Sequence, residues 1–105
     1  MRRDEGRVSA ERGIRITDQF RHQRSMMYDF KGSDVRLTLR ICECDSGWEI
    51  EAMPKAPLPL ESMTATGTSR RDALTAVAHV WCTHSVLPWI DWAEIGAALT
   101  AVRAI

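Results

Sequence analysis

A chain of 105 residues, 45% hydrophobic and 27% charged, has the composition of one ordinary globular domain with a modest core. Its formal net charge of zero argues against a strongly basic nucleic-acid-binding domain, and no apolar run approaches the roughly 18 residues that a membrane span needs. Three cysteines, an odd number, fit no disulfide framework and point to a reducing, cytoplasmic setting.

The neutral total hides an asymmetry: residues 1–40 carry ten Lys/Arg against six Asp/Glu, and residues 41–105 carry four against eight. A basic first part can therefore meet an acidic second part, within one molecule or between two. Residues 1–13 have almost nothing apolar and no secretory h-region, so they read as a flexible basic arm, ahead of a single α+β domain over 14–105. Between Gly13 and Arg24 the pattern stays open. Ile14 and Ile16 alternate like a short strand, while "TDQFRHQR" fits a helical turn equally well.

From Ser25 the pattern is clearer. "SMMYDF", "KGSD" and "VRLTLRICEC" read as strand, turn and strand. Val35, Leu37, Leu39 and Ile41 alternate with Arg36, Thr38, Arg40 and Cys42, which predicts one buried and one wet face. Asp45-Ser46-Gly47 predicts a tight turn into "WEIEA", with Trp48, Ile50 and Ala52 inward. Glu49 and Glu51 then face Arg36 and Arg40 across the hairpin. The prolines of "MPKAPLPLE" predict a loop rather than a central strand, and "SMTATGT" after it an edge strand.

Ser69 predicts a helix N-cap, with Asp72 three residues on and Leu74, Val77, Ala78 and Trp81 as the apolar stripe. Asp91 with Glu94 predicts a second cap, with Ile90 and Ile95 as a hydrophobic staple and Ile95, Ala98, Leu99 and Val102 as the stripe. The expected fold is α+β: an antiparallel sheet of three to four strands with two C-terminal helices packed on one face.

The stretch "CDSGWEIEAMPKAPLPLESMTATGTSRRDALTAVAHVW" resembles the β-β-β-α module of HicB-type antitoxins, through Gly47, Pro54, Pro57, Gly67, Ser69, Asp72, Ala73 and Leu74. Arg71 stands where that family usually has an acid. The resemblance implies a small toxin as partner. The same stretch is similar to the end of a double-stranded-RNA-binding domain, whose last helix opens Ser-Lys-Lys-x-Ala-Lys; Ser69, Arg70, Arg71 and Ala73 match. That likeness implies contact with phosphates.

Arg70 and Arg71 are odd where they stand. The first turn of a helix carries the positive end of the macrodipole and favours acids. With Ser69 and the free N–H groups of that turn they form a candidate anion or phosphate site; otherwise they are solvated surface arginines. Trp89 and Trp92 in "LPWIDW" are candidates for partner binding, since tryptophan is enriched at interface hot spots, or else they close the core.

Cys42, Cys44, His79, Cys82 and His84 lack the spacing of a metal site, and the expectation is ordinary reduced cysteines with no metal. No nucleophile elbow, metal-binding His-Glu-x-x-His or phosphate-binding glycine loop is present, so no catalytic residue and no cofactor is expected. The sequence therefore points to a non-enzymatic interaction module that binds a protein partner or itself, away from membranes. The alternative is binding of nucleic-acid phosphates by Arg70, Arg71 and the arm residues Arg2, Arg3, Arg7, Arg12 and Arg15, which steep salt dependence would reveal.

Overall fold

The computed structural model describes residues 13–33, 35–56, 61–84 and 87–105. Five antiparallel strands follow one another across the sheet in chain order: β1 Arg15–His22, β2 Ser25–Lys31, β3 Arg36–Cys44, β4 Gly47–Ala56 and β5 Met63–Gly67. Two helices follow, α1 Arg70–Cys82 and α2 Trp92–Ala101. The α+β class is as expected; the sheet has five strands rather than three to four. The proposed arm, apart from Gly13, lies outside the described residues.

The additional strand is β1. It pairs with β2 from Arg15↔Lys31 to His22↔Ser25, around a two-residue turn in which Gln23 takes φ 57°. Its alternation is broken by a bulge at Thr17. Ile16 stands opposite Phe30 and Asp18 opposite Asp29, so the side chains change face between them. Ile14 and Ile16 pack against the core while Phe20 is left largely exposed.

β3 and β4 form the hairpin the alternation predicts, closing at Cys44↔Gly47 around Asp45-Ser46. Leu37, Leu39, Ile41, Ile50 and Ala52 point to the helices and are buried, together with Tyr28 and Phe30 of β2. β4 also runs further than the prolines suggested, to Ala56 and through Pro54. The reason lies in the pairing. β5 leaves β4 at Ala52↔Met63, while β3 continues to Leu37↔Pro54, so β4 is a sheet edge on one side at Pro54. Residues 57–60, the rest of the proline-rich segment, lie outside the described residues.

Both helices cover the same face of the sheet. Leu74, Val77 and Trp81 of α1 and Ile95 and Leu99 of α2 join the strand residues in one cluster. The caps are as the sequence predicts: Ser69 Oγ accepts from the Asp72 N–H, and Asp91 Oδ1 from the N–H groups of Ala93 and Glu94. Ile90 and Ile95 of the expected staple are both buried.

Val102 departs from its expected place in the stripe of α2, because the helix ends at Ala101. Arg103 N–H donates to Thr100 O and Ala104 N–H to Leu99 O, a Schellman closure with Arg103 at φ 61°. The reversal buries Ala104 and leaves Val102 exposed.

Two glycines bring the start of α1 down onto the sheet. Gly47 has φ 145°, and a Cβ there would run into the carbonyl oxygen of Gly67. A Cβ on Gly67 would in turn come within 2.7 Å of the Asp72 carbonyl carbon. Since Trp48 stands opposite Gly67 in the register, this close approach sets Trp48 beside the first turn of α1.

Candidate functional site

Ser69, Arg70 and Arg71 do not converge on one anion site. Successive helix residues are turned by about 100°, so the two arginines leave α1 in different directions. The Arg70 guanidinium lies over the Trp48 ring, 5.0 Å from its centre. Arg71 reaches across to α2, where its Nη2 stands 3.5 Å from Thr100 Oγ1 as donor. Ser69 is occupied as the cap, and Asp72 accepts a 2.8 Å hydrogen bond from the Thr68 hydroxyl.

Arg70 instead joins residues the sequence had not grouped with it. A concavity of about 210 Å³ opens on the helix side of the sheet, near the β1–β2 turn, and Arg21, Arg24, Tyr28, Glu43, Trp48 and Arg70 line it. Arg21 follows from the Thr17 bulge, which turns it to the helix side opposite Met26, and Arg24 from the turn itself. None of these three arginines makes an ion pair among the described residues. Tyr28 is only 6% exposed, and its hydroxyl makes no hydrogen bond among the described residues. Burial pushes its pKa up, and the charge of Arg70 opposes that rise, which places the guanidinium within electrostatic reach of the phenol.

The tryptophans of "LPWIDW" are also parted. Trp92 turns inward and meets Trp81 edge to face, with ring centres 5.8 Å apart and planes at 69°. Its indole Nε1 is buried without a hydrogen-bond partner. Trp89 is 81% exposed. The segment that carries it is nonetheless anchored, because the Trp81 indole N–H donates to Pro88 O at 2.9 Å and Ile90 is buried. Trp89 stands between two concavities, one lined by Trp81, Leu87 and Pro88, the other by Val35, Asp91 and Glu94.

The sheet face away from the helices carries a hydrogen-bonded polar row. Arg40 Nε donates to Glu51 Oε1 at 2.8 Å, its Nη1 to Ser25 Oγ at 3.2 Å, and Glu49 lies 4.0 Å from Nη2. Ser62 donates to the second Glu51 oxygen, and Thr38 to Asp29 Oδ1 at 2.6 Å. The Ser62 and Arg40 hydrogen bonds hold the Glu51 carboxyl below its usual range. The expected pairing thus falls on Arg40 for both glutamates. Arg36 stands opposite Ala56, beyond a bulge.

Cys42 and Cys44 are half-buried on that same polar face, and Cys82 is exposed at the end of α1. Among the described residues no three His, Cys, Asp or Glu side chains group so as to hold a metal ion, and no helix is long and apolar enough to cross a membrane. Compared with protein-family models, with curated proteins and with solved structures, the chain matches none.

Proposed function

We propose that the protein is a small non-enzymatic binding module that docks another protein, or a second copy of itself, over Trp89. The observation that carries this reading is the combination of near-complete exposure of one large aromatic side chain and anchoring of the backbone on either side of it. A tryptophan whose backbone is fixed before binding has only its side-chain freedom left to lose on docking, and tryptophan is enriched at interface hot spots. The neighbouring concavities give a partner's side chains somewhere to go on either side of the ring.

The nucleic-acid alternative has less behind it. Arg70 and Arg71 point apart, and Arg2, Arg3, Arg7 and Arg12 lie outside the described residues. Self-association is tested by sedimentation over a hundredfold range of concentration, and partner capture by affinity isolation. Both are compared between the wild type and Trp89→Asp. Loss of either in the variant, with an unchanged circular dichroism spectrum, supports the reading. Equal behaviour of the two proteins in both assays overturns it.

A further inference from the structure

The concavity beside Arg70 shares no lining residue with the two beside Trp89. Three guanidinium groups and one carboxylate line it, an excess of two positive charges, and none of them is neutralised by an ion pair among the described residues. Arg70 is held in place by the Trp48 ring at 5.0 Å. Arg21 is paired in β1 opposite Met26, and Arg24 belongs to the two-residue turn that closes β1 onto β2, so their backbones are fixed by the hairpin. Guanidinium groups on such supports suit an oxyanion, which each can meet with paired N–H donors.

Tyr28 gives the second, independent sign. It is 6% exposed and lines the concavity, and its hydroxyl has no hydrogen-bond partner among the described residues. The hydroxyl is open to solvent through the concavity, where a ligand oxygen can replace water as its partner. A terminal phosphate offers three oxygens to this hydroxyl and to the guanidinium groups, whereas a phosphate inside a nucleic-acid backbone offers only its two non-bridging ones.

Charge and size narrow the ligand further. A phosphomonoester carries between −1.5 and −2 at neutral pH, which matches the excess of two, whereas a phosphodiester carries one. The volume of about 210 Å³ lies below the roughly 300–1,000 Å³ of sites for drug-sized ligands. It holds a phosphate and a few further heavy atoms. Glu43 on the wall would repel a second phosphate and could accept from a ligand hydroxyl. We propose that the concavity lined by Arg21, Arg24, Tyr28, Glu43, Trp48 and Arg70 binds the terminal phosphate of a small hydroxylated phosphomonoester, a sugar monophosphate in class.

The test is titration calorimetry at physiological ionic strength with ribose 5-phosphate, with ribose, and with one RNA oligonucleotide carrying either a 5′-phosphate or a 5′-hydroxyl. Ribose 5-phosphate is expected to bind and ribose not. Arg70→Met keeps an apolar stem against Trp48 and should weaken binding by about tenfold or more. Tyr28→Phe removes a single oxygen, leaves the core packed, and should weaken it by about fivefold. Arg71→Ala, on the far side of α1, should leave it unchanged. No binding of ribose 5-phosphate, or binding that Arg70→Met and Tyr28→Phe both leave intact, overturns the proposal. So does equal binding of the two oligonucleotides at an affinity above that of ribose 5-phosphate, since the ligand would then be the nucleic-acid backbone.

Discussion

Arg70 rests over the ring of Trp48 and ties the first residue of α1 to the second residue of β4. The contact explains how an arginine is accommodated at the positive end of a helix. The ring's electron-rich face offsets the unfavourable dipole, each effect amounting to about 0.5–1 kcal/mol at a surface site. A double-mutant cycle over Arg70→Met and Trp48→Leu, read by urea denaturation, should give a coupling energy of about 0.5–1 kcal/mol. Strict additivity would mean that the stacking does not persist in solution.

Acid should act on the Arg40–Glu51 pair. The Ser62 and Arg40 hydrogen bonds lower the Glu51 pKa from its ordinary 4.5. A carboxylate with a lower pKa in the folded state than in the unfolded state stabilises the fold above the unfolded value, and that stability is lost as pH falls through the folded one. The urea midpoint of the wild type should therefore drop as pH is lowered from about 5 to about 3, and Glu51→Gln should show a shallower drop over that window. Parallel profiles would remove Glu51 from the account of acid stability.

The tryptophans should separate in stability as they do in space. Trp81 is buried and donates to Pro88, so Trp81→Ala should cost about 3–5 kcal/mol. Trp89→Ala should stay within about 0.5 kcal/mol of the wild type. Thermal melts of the two variants check this, and a large loss at Trp89 would mean that its ring is covered in solution.

The space around two glycines gives opposite outcomes for the same change. At Gly67 an added Cβ meets the backbone of Asp72 and Ala73, so Gly67→Ala should destabilise and pull α1 from the sheet. At Gly96, inside α2, the nearest atom is Leu74 Cδ2 at 3.7 Å, and Gly96→Ala should stabilise by about 0.5–1 kcal/mol. Denaturant midpoints moving in the same direction for both would contradict the close approach at Gly67.

Arg103 closes α2 in a left-handed conformation that glycine adopts without steric cost. Arg103→Gly should raise stability by about 1 kcal/mol. A neutral or negative effect would point to a role for the arginine side chain itself.

The sequence by itself determined the elements whose chemistry is local. Leu37, Leu39 and Ile41 alternate regardless of what covers them, Asp45-Ser46-Gly47 turns, and Ser69 and Asp91 cap helices using atoms within three residues of themselves. Their energies come from neighbours in the chain, so a reading of the chain finds them. Tertiary structure decided the rest. The bulge at Thr17 breaks the alternation that would have revealed β1. The start of β5 at Met63, opposite Ala52, leaves β4 an edge on which Pro54 is tolerated. Arg70 and Arg71 are adjacent in sequence, but the helix turns one to Trp48 and the other to Thr100. Arg21 and Arg24 join Arg70 only because the register of four strands brings the β1–β2 turn beside the start of α1. Which of Trp89 and Trp92 is covered depends on where Trp81 lies, and side-chain type carries no information about that.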